Sequence, residues 1–350
     1  MRRFVQAALA VAVLLLAFAG GAFMYAGNAT ETRFARTWPE IVGKDIPIPF
    51  PLSDAEVDVL RQERLAQQVP LDPSAPPGEG EVVDPTLPPV DPLAGVDLAA
   101  VARDRAVLRG SRLATVRVGC TECHGDDGAG KLVADAMPVW RFVAPNITSA
   151  GRTKDYTGAD YDRLLRHGVN RDGTTSAMPC VDTAGLADRE VSDLAAWVGS
   201  LAPSDKVSEE IEVGPLGRFL FGFNQIPLSA EQIDHAELRP VEAPPEGVTV
   251  AFGGHIAQTC VGCHRDGFEG GPIRGGDPAW PPAGNLTPHE QGVKGWTQDD
   301  FVKLMREGKR PDGTDVDPVM PWRLMAKFSD TELHAMFLYL QSVPALPTGV

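Results

Sequence analysis

Lysine and arginine are in short supply in this sequence, 32 against 47 aspartates and glutamates, for a formal net charge of −15 over 350 residues. That deficit excludes nucleic acid as a partner, because neutralising phosphates needs clustered basic side chains. It leaves a solvated acidic surface. Sustained strand-like alternation is also missing, apart from short apolar patches. What remains reads as an all-α chain, helices separated by loops rich in Gly, Pro and Asp. Cysteine is scarce as well, five residues in all, and four of the five fall in two short clusters.

Long apolar runs are absent but for one. Arg2 and Arg3 precede an uncharged, mostly apolar run from Phe4 to Ala26, long enough to span a bilayer. The expectation is an uncleaved anchor over residues 1–27; a signal peptide cleaved after Ala19, in AFAGGA, is the alternative. Either way the positive charges stay in the cytoplasm and the body of the protein is exported.

Pro70 to Pro92 is dense in proline and acid with little apolar to bury, and reads as an extended linker closing an N-terminal extension over residues 28–97. Within that extension Ser53, with Glu56 three residues on, forms a capping box that starts a short helix. At 350 residues, 43% of them hydrophobic, the chain can bury about two cores of ordinary size.

An internal repeat supports two. CTECH at Cys120 returns as CVGCH at Cys260, PNIT at Pro145 as GNLT at Gly284, and YTGADYDRLLRHGVNRDGT from Tyr156 as WTQDDFVKLMREGKRPDGT from Trp296. MPC at Met178 answers MPW at Met320, and the helical pattern from Leu186 answers that from Phe328. The pairs keep their order and lie 139 to 142 residues apart. The body is therefore one unit duplicated, over 98–204 and 248–345, with 205–247 between. Thr157 with Asp160, Thr297 with Asp300 and Ser329 with Glu332 mark helix starts.

In Cys-x-x-Cys-His the two thiols can bond the vinyl groups of haem while the adjacent imidazole is placed to ligate iron from one side. Zinc would want its second ligand pair within a few tens of residues, whereas these pairs lie in separate copies. A redox dithiol has no need of a following histidine in both copies. Cys120, Cys123, His124, Cys260, Cys263 and His264 are therefore the candidate attachment residues for two covalently bound haem c groups.

A second axial ligand should recur in both copies. His167 matches Glu307, and His235, His255, His289 and His334 have no partner histidine, so surface or packing roles suit them better. Met178 and Met320 do match, each before a proline and shortly before the last helix. A soft thioether favours ferrous iron and raises the reduction potential. The candidate iron ligands are thus His124 with Met178 and His264 with Met320. Cys180 is left over, two residues past Met178; its counterpart is Trp322, which favours packing, while thiolate ligation is the alternative.

With these motifs in view, the sequence resembles class I cytochrome c domains from about Leu98 to Val343. It is most similar to membrane-anchored multi-haem cytochrome c proteins that serve as subunits of periplasmic alcohol, sorbitol and gluconate dehydrogenases. Those subunits carry three haems, and two motifs are present here. The resemblance implies two tandem helical domains, each wrapping a haem, after the anchor and Pro-rich linker. It implies a bacterial inner-membrane protein, N-terminally anchored, with its haem domains in the periplasm. Its partners would be redox proteins: a dehydrogenase, a quinol-oxidising complex or a terminal oxidase. It also implies that Asn146, Thr148, Asn285 and Thr287 line the haem edge, although Asn and Thr are equally good turn formers.

The function expected is electron transfer by a dihaem cytochrome with no catalytic residues. The alternative is a dihaem enzyme, of thiosulfate dehydrogenase or peroxidase type, with one replaceable ligand. Cys180 and the unmatched histidines are what keep that alternative open.

Overall fold

A computed structural model describes residues 2–68 and 91–349; all but the last two residues of the expected Pro70–Pro92 linker lie outside them. Helix α1 (Arg2–Ala35) is followed by an extended strap and α2 (Asp54–Gln68). The reciprocal Ser53 and Glu56 bonds cap α2 at its start. The first repeat then supplies α3 (Leu98–Arg112), a π-helical turn over Leu113–Arg117, α4 (Cys120–His124), α5 (Gly158–His167) and α6 (Asp188–Ser200). Helix α7 (Pro215–Gly222) lies between the repeats. The second repeat supplies α8 (Val250–Ala257), α9 (Val261–His264), α10 (Gln298–Glu307), α11 (Trp322–Met325) and α12 (Asp330–Leu340).

Each repeat is organised by a crossing of its first and last long helices, α3 on α6 and α8 on α12. Glycine makes both crossings possible. A Cβ on Gly110 would strike the Asp193 carbonyl and lie 2.9 Å from Trp197 Cβ. One on Gly253 would strike the Ala335 carbonyl and lie 3.0 Å from Tyr339 Cβ. Apolar faces close around these contacts: Leu113, Tyr161, Leu165, Leu194 and Trp197 in the first core, Phe252, Phe301, Phe328, Met336 and Leu340 in the second. The capping boxes at Thr157, Thr297 and Ser329 are all formed in full.

Two expectations are corrected. The chain is mainly helical but not all-α, since it carries an antiparallel sheet of β1 (Lys131–Ala136), β2 (Trp140–Ala144) and β3 (Glu212–Val213) in the order β1-β2-β3. β1 is mostly exposed along its whole length, so burial imposes no period-two pattern on its residues. Neither does the structure support the inner-membrane anchor and the localisation that followed from it. Among the described residues no helix is long and apolar enough to cross a membrane. The C-terminal part of α1 is instead committed to the protein: Ala26 and Thr30 are buried, the Thr30 hydroxyl donates to the Arg218 carbonyl at 2.6 Å, and Arg33 pairs with Glu231. An apolar run measured from sequence does not reveal that its end packs on α7.

The extension does more than space the body. Ile46 belongs to the first core, Lys44 N–H donates to Asp162 at 2.7 Å, Phe50 N–H to Ser192 at 3.0 Å, and Trp38 Nε1 to Thr175 at 3.0 Å. It straps the first repeat across α5 and α6.

Candidate functional site

Both Cys-x-x-Cys-His motifs form a helical turn, Cys120–His124 in α4 and Cys260–His264 across a 3-10 turn and α9. The turn puts both thiols and the imidazole on one short stretch, and all five cysteines are free. Burial pushes the Cys120 and Cys260 thiols up to about 12. Disulfide exchange needs the thiolate, so this environment argues against the redox-dithiol reading.

Each histidine is fixed from behind. His124 Nδ1 lies 2.9 Å from the Pro145 carbonyl, and His264 Nδ1 lies 2.7 Å from that of Gly284. A carbonyl only accepts, so Nδ1 carries the proton and Nε2 keeps its lone pair for a metal. Burial lowers both imidazole pKa values from 6.5 despite these bonds, which favours the neutral, ligating form.

The carbonyls are themselves held. Asn146 Oδ1 accepts from Thr148 N–H and Oγ1 at 2.9 and 2.8 Å, and its Nδ2 donates to the carbonyls of Ser204 and Lys206. Asn285 repeats this with Thr287 at 2.8 and 2.7 Å and with the Leu346 carbonyl at 2.8 Å. These residues are turn formers that clip the loop behind the histidine to the chain beyond the last helix. The carbonyl alone meets each imidazole, which explains why Pro145 can be replaced by Gly284. Tyr156 and Trp296 pack as aromatics against the first and second cores.

Met178 packs against the same core as Cys120, and Met320 against the same core as Cys260. Each methionine begins an inverse γ-turn. Pro179 has φ −74° and ψ 69° with Cys180 N–H on the Met178 carbonyl at 2.8 Å; Pro321 has φ −78° and ψ 51° with Trp322 N–H on Met320, also at 2.8 Å. Cys180 is wholly buried, and that burial pushes its thiol up to about 12. The unmatched histidines also find protein partners: His255 Nε2 meets Glu190 at 2.8 Å, and His167 Nδ1 meets His235 Nδ1 at 3.1 Å.

Sequence reasoning missed the contacts between repeats. Asp182, four residues past Met178, accepts from Gly262 N–H in the second motif at 3.1 Å. Leu324, four past Met320, lies against Gly119 at the head of the first, 2.8 Å from where a Cβ would stand. Asp182 and Leu324 are equivalent in the repeat, 142 residues apart. The arrangement is reciprocal.

The donor set fits haem c: paired free thiols, a neutral imidazole oriented by its second nitrogen, and a thioether on the same core. Residues 107–202 match the sequence model of the Cytochrome c family. The chain is 28% identical over 297 residues to the cytochrome c subunit of the quinone alcohol dehydrogenase of Gluconacetobacter polyoxogenes, covering 73% of this chain and 60% of that subunit. It is 27% identical over 259 residues to a dihaem c-type cytochrome of Cereibacter sphaeroides, covering 65% of this chain and 83% of that protein. Over 90 residues, 24% of this chain and 20% of the relative, it is 36% identical to the gluconate 2-dehydrogenase cytochrome c subunit of Pantoea cypripedii. The chain thus carries a cytochrome c domain and is homologous to cytochrome c subunits of quinone alcohol dehydrogenases, of which it spans 60% of the length, and to a dihaem cytochrome.

Proposed function

We propose that this chain is a dihaem electron carrier of two tandem cytochrome c domains, 98–204 and 248–345, that takes electrons from a dehydrogenase and passes them to a further redox protein. One observation carries the reading: the Cys-x-x-Cys-His turn, its carbonyl-held imidazole and a Met-Pro γ-turn on the same core all occur twice, in equivalent places. Haem c, when bound, supplies a one-electron iron couple. Cys120 with Cys123, and Cys260 with Cys263, would hold it covalently. His124 and His264 would offer Nε2 on one side, and Met178 and Met320 a thioether on the other. With both sides taken, no position is left for a substrate, which favours a carrier over an enzyme.

The reciprocal contacts at Asp182 and Leu324 set the methionine loop of each repeat against the attachment turn of the other. That neighbourhood suits electron exchange inside one chain. The dehydrogenase partner rests on the names of the relatives, whose larger size leaves them with segments this chain lacks a match for.

The test is the optical and EPR spectrum of protein matured with the haem-attachment machinery. We expect two haems per chain, both low-spin, with the near-infrared band of methionine-to-ferric charge transfer. Met178→Ala and Met320→Ala should each remove about half of that band, as one ligand of two is lost. A high-spin haem in the unmodified protein that binds cyanide rapidly would sink the carrier reading and favour the enzyme.

A further inference from the structure

Cys180 and Trp322 occupy equivalent positions, yet one is the smallest apolar thiol side chain and the other an indole. The structure shows what fills the difference. In the second repeat Trp322 covers Gly308, the left-handed residue that ends α10; a Cβ there would lie 2.7 Å from the ring. In the first repeat the equivalent residue is Gly168, which ends α5 with φ 66°. Its neighbours come from between the repeats: Ala230 N at 2.9 Å and Ser229 Cβ at 3.0 Å from the same point. The 3-10 turn Ser229–Glu231 thus occupies ground that an indole occupies in the second repeat.

This turn brings a hydroxyl to the methionine loop. Ser229 Oγ donates to the Met178 carbonyl at 2.8 Å and accepts from Cys180 N–H at 2.9 Å, bridging Pro179, which has no N–H to offer. Met178 N–H donates in turn to Ser176 Oγ at 3.1 Å. The turn is pinned at its far side, where His235 Nε2 donates to the Ala230 carbonyl at 2.9 Å and His235 Nδ1 meets His167 at the end of α5. Met320 has the same γ-turn, and its N–H goes to the Asp317 carbonyl at 3.1 Å. Among the described residues no side chain bridges Met320 to residue 322.

We propose that Ser229 is a positioning residue for Met178, so that the segment between the repeats is part of the first haem site. The proposal rests on Met178 and Met320 being axial ligands. The hydroxyl closes the Met178-Pro179 turn from outside and holds the thioether against competitors for the iron. Met320 is held by its own loop and the indole beside it, so retention of the second methionine does not depend on the segment.

The experiment titrates the oxidised, full-length holoprotein with imidazole and follows the near-infrared methionine band, the share lost in Met178→Ala being assigned to the first haem. Removing one buried hydroxyl bridge should lower the imidazole concentration for half-displacement at the first haem by about 3- to 10-fold, the worth of an ordinary hydrogen bond. We expect this in Ser229→Ala, a smaller shift in the size-matched, weakly donating Ser229→Cys, and no shift at the second haem in either. Equal shifts at both haems, or none at the first, would overturn the positioning role while leaving the ligand assignment intact. Absence of a Met178-dependent band from the unmodified protein would overturn the ligand assignment, and this proposal with it.

Discussion

The residues that define the site are few, but each depends on a neighbour that holds it. His264 illustrates this: its Nδ1 partner is the Gly284 carbonyl, and the next residue, Asn285, is 6% exposed with its amide spent on Thr287 and the C-terminal segment. Replacing Asn285 by Ala leaves the buried Thr287 N–H without its partner and takes one of two donors from the half-buried Leu346 carbonyl, which keeps Thr287 Oγ1. The expected cost is about 1 to 3 kcal/mol in denaturant unfolding, the usual penalty for orphaned buried polar groups. A loss below about 0.5 kcal/mol, within the range of an ordinary surface change, would show that the clip is dispensable.

Among the elements, the helix crossings matter most. Gly110 lies ten residues before Cys120, and Gly253 lies seven before Cys260. The π-helical turn Leu113–Arg117 stands where the first repeat has its three additional residues, so both glycines still reach their crossing. Gly110→Ala should destabilise by about 1 to 3 kcal/mol, because its Cβ meets a main-chain carbonyl that cannot step aside. Gly199→Ala, in α6 with open space around it, should instead stabilise by about 0.5 to 1 kcal/mol through helix propensity. Urea unfolding of the two variants compares them directly; effects of the same sign would contradict the packing account.

At the scale of the whole molecule, the two repeats face each other through matched contacts. Arg112 of the first pairs with Glu332 of the second, and His255 of the second with Glu190 of the first at 2.8 Å. Arg112 and His255 stand at equivalent places in α3 and α8, counted from Gly110 and Gly253, and Glu190 and Glu332 are 142 apart. Such reciprocity is the signature of a twofold interface. Burial opposes ionisation of Glu190, but the His255 hydrogen bond and the Arg117 charge outweigh it and hold its pKa below 4.5. A lowered carboxylate pKa adds stability that is present above the unfolded-state value and is lost as pH falls through the folded one. Glu190→Gln should therefore cost about 1.5 to 3 kcal/mol at pH 7, the worth of a charge-assisted bond, and progressively less below pH 4.5. A difference in unfolding free energy that stays flat from pH 7 downwards would remove the ion pair from the account.

Local chemistry was legible in the sequence because it is written in neighbouring residues. The attachment motifs, the capping boxes at Ser53, Thr157, Thr297 and Ser329, the Met-Pro pairs and the 139-to-142-residue repeat each need only short spacings to be recognised. The sheet stayed hidden because an exposed strand carries no alternation. The expected anchor did not survive because an apolar run does not say what it packs against. By itself the sequence determined the paired Cys-x-x-Cys-His motifs and the internal repeat that carries them, since thiol and imidazole positions within a motif follow from spacing alone. Only the tertiary structure decided that Asn146 and Asn285 clip loops, that Gly110 and Gly253 let helices cross, and that Ser229 reaches Met178 from 51 residues away. Those contacts join segments distant in the chain, and their geometry exists only once the helices have packed.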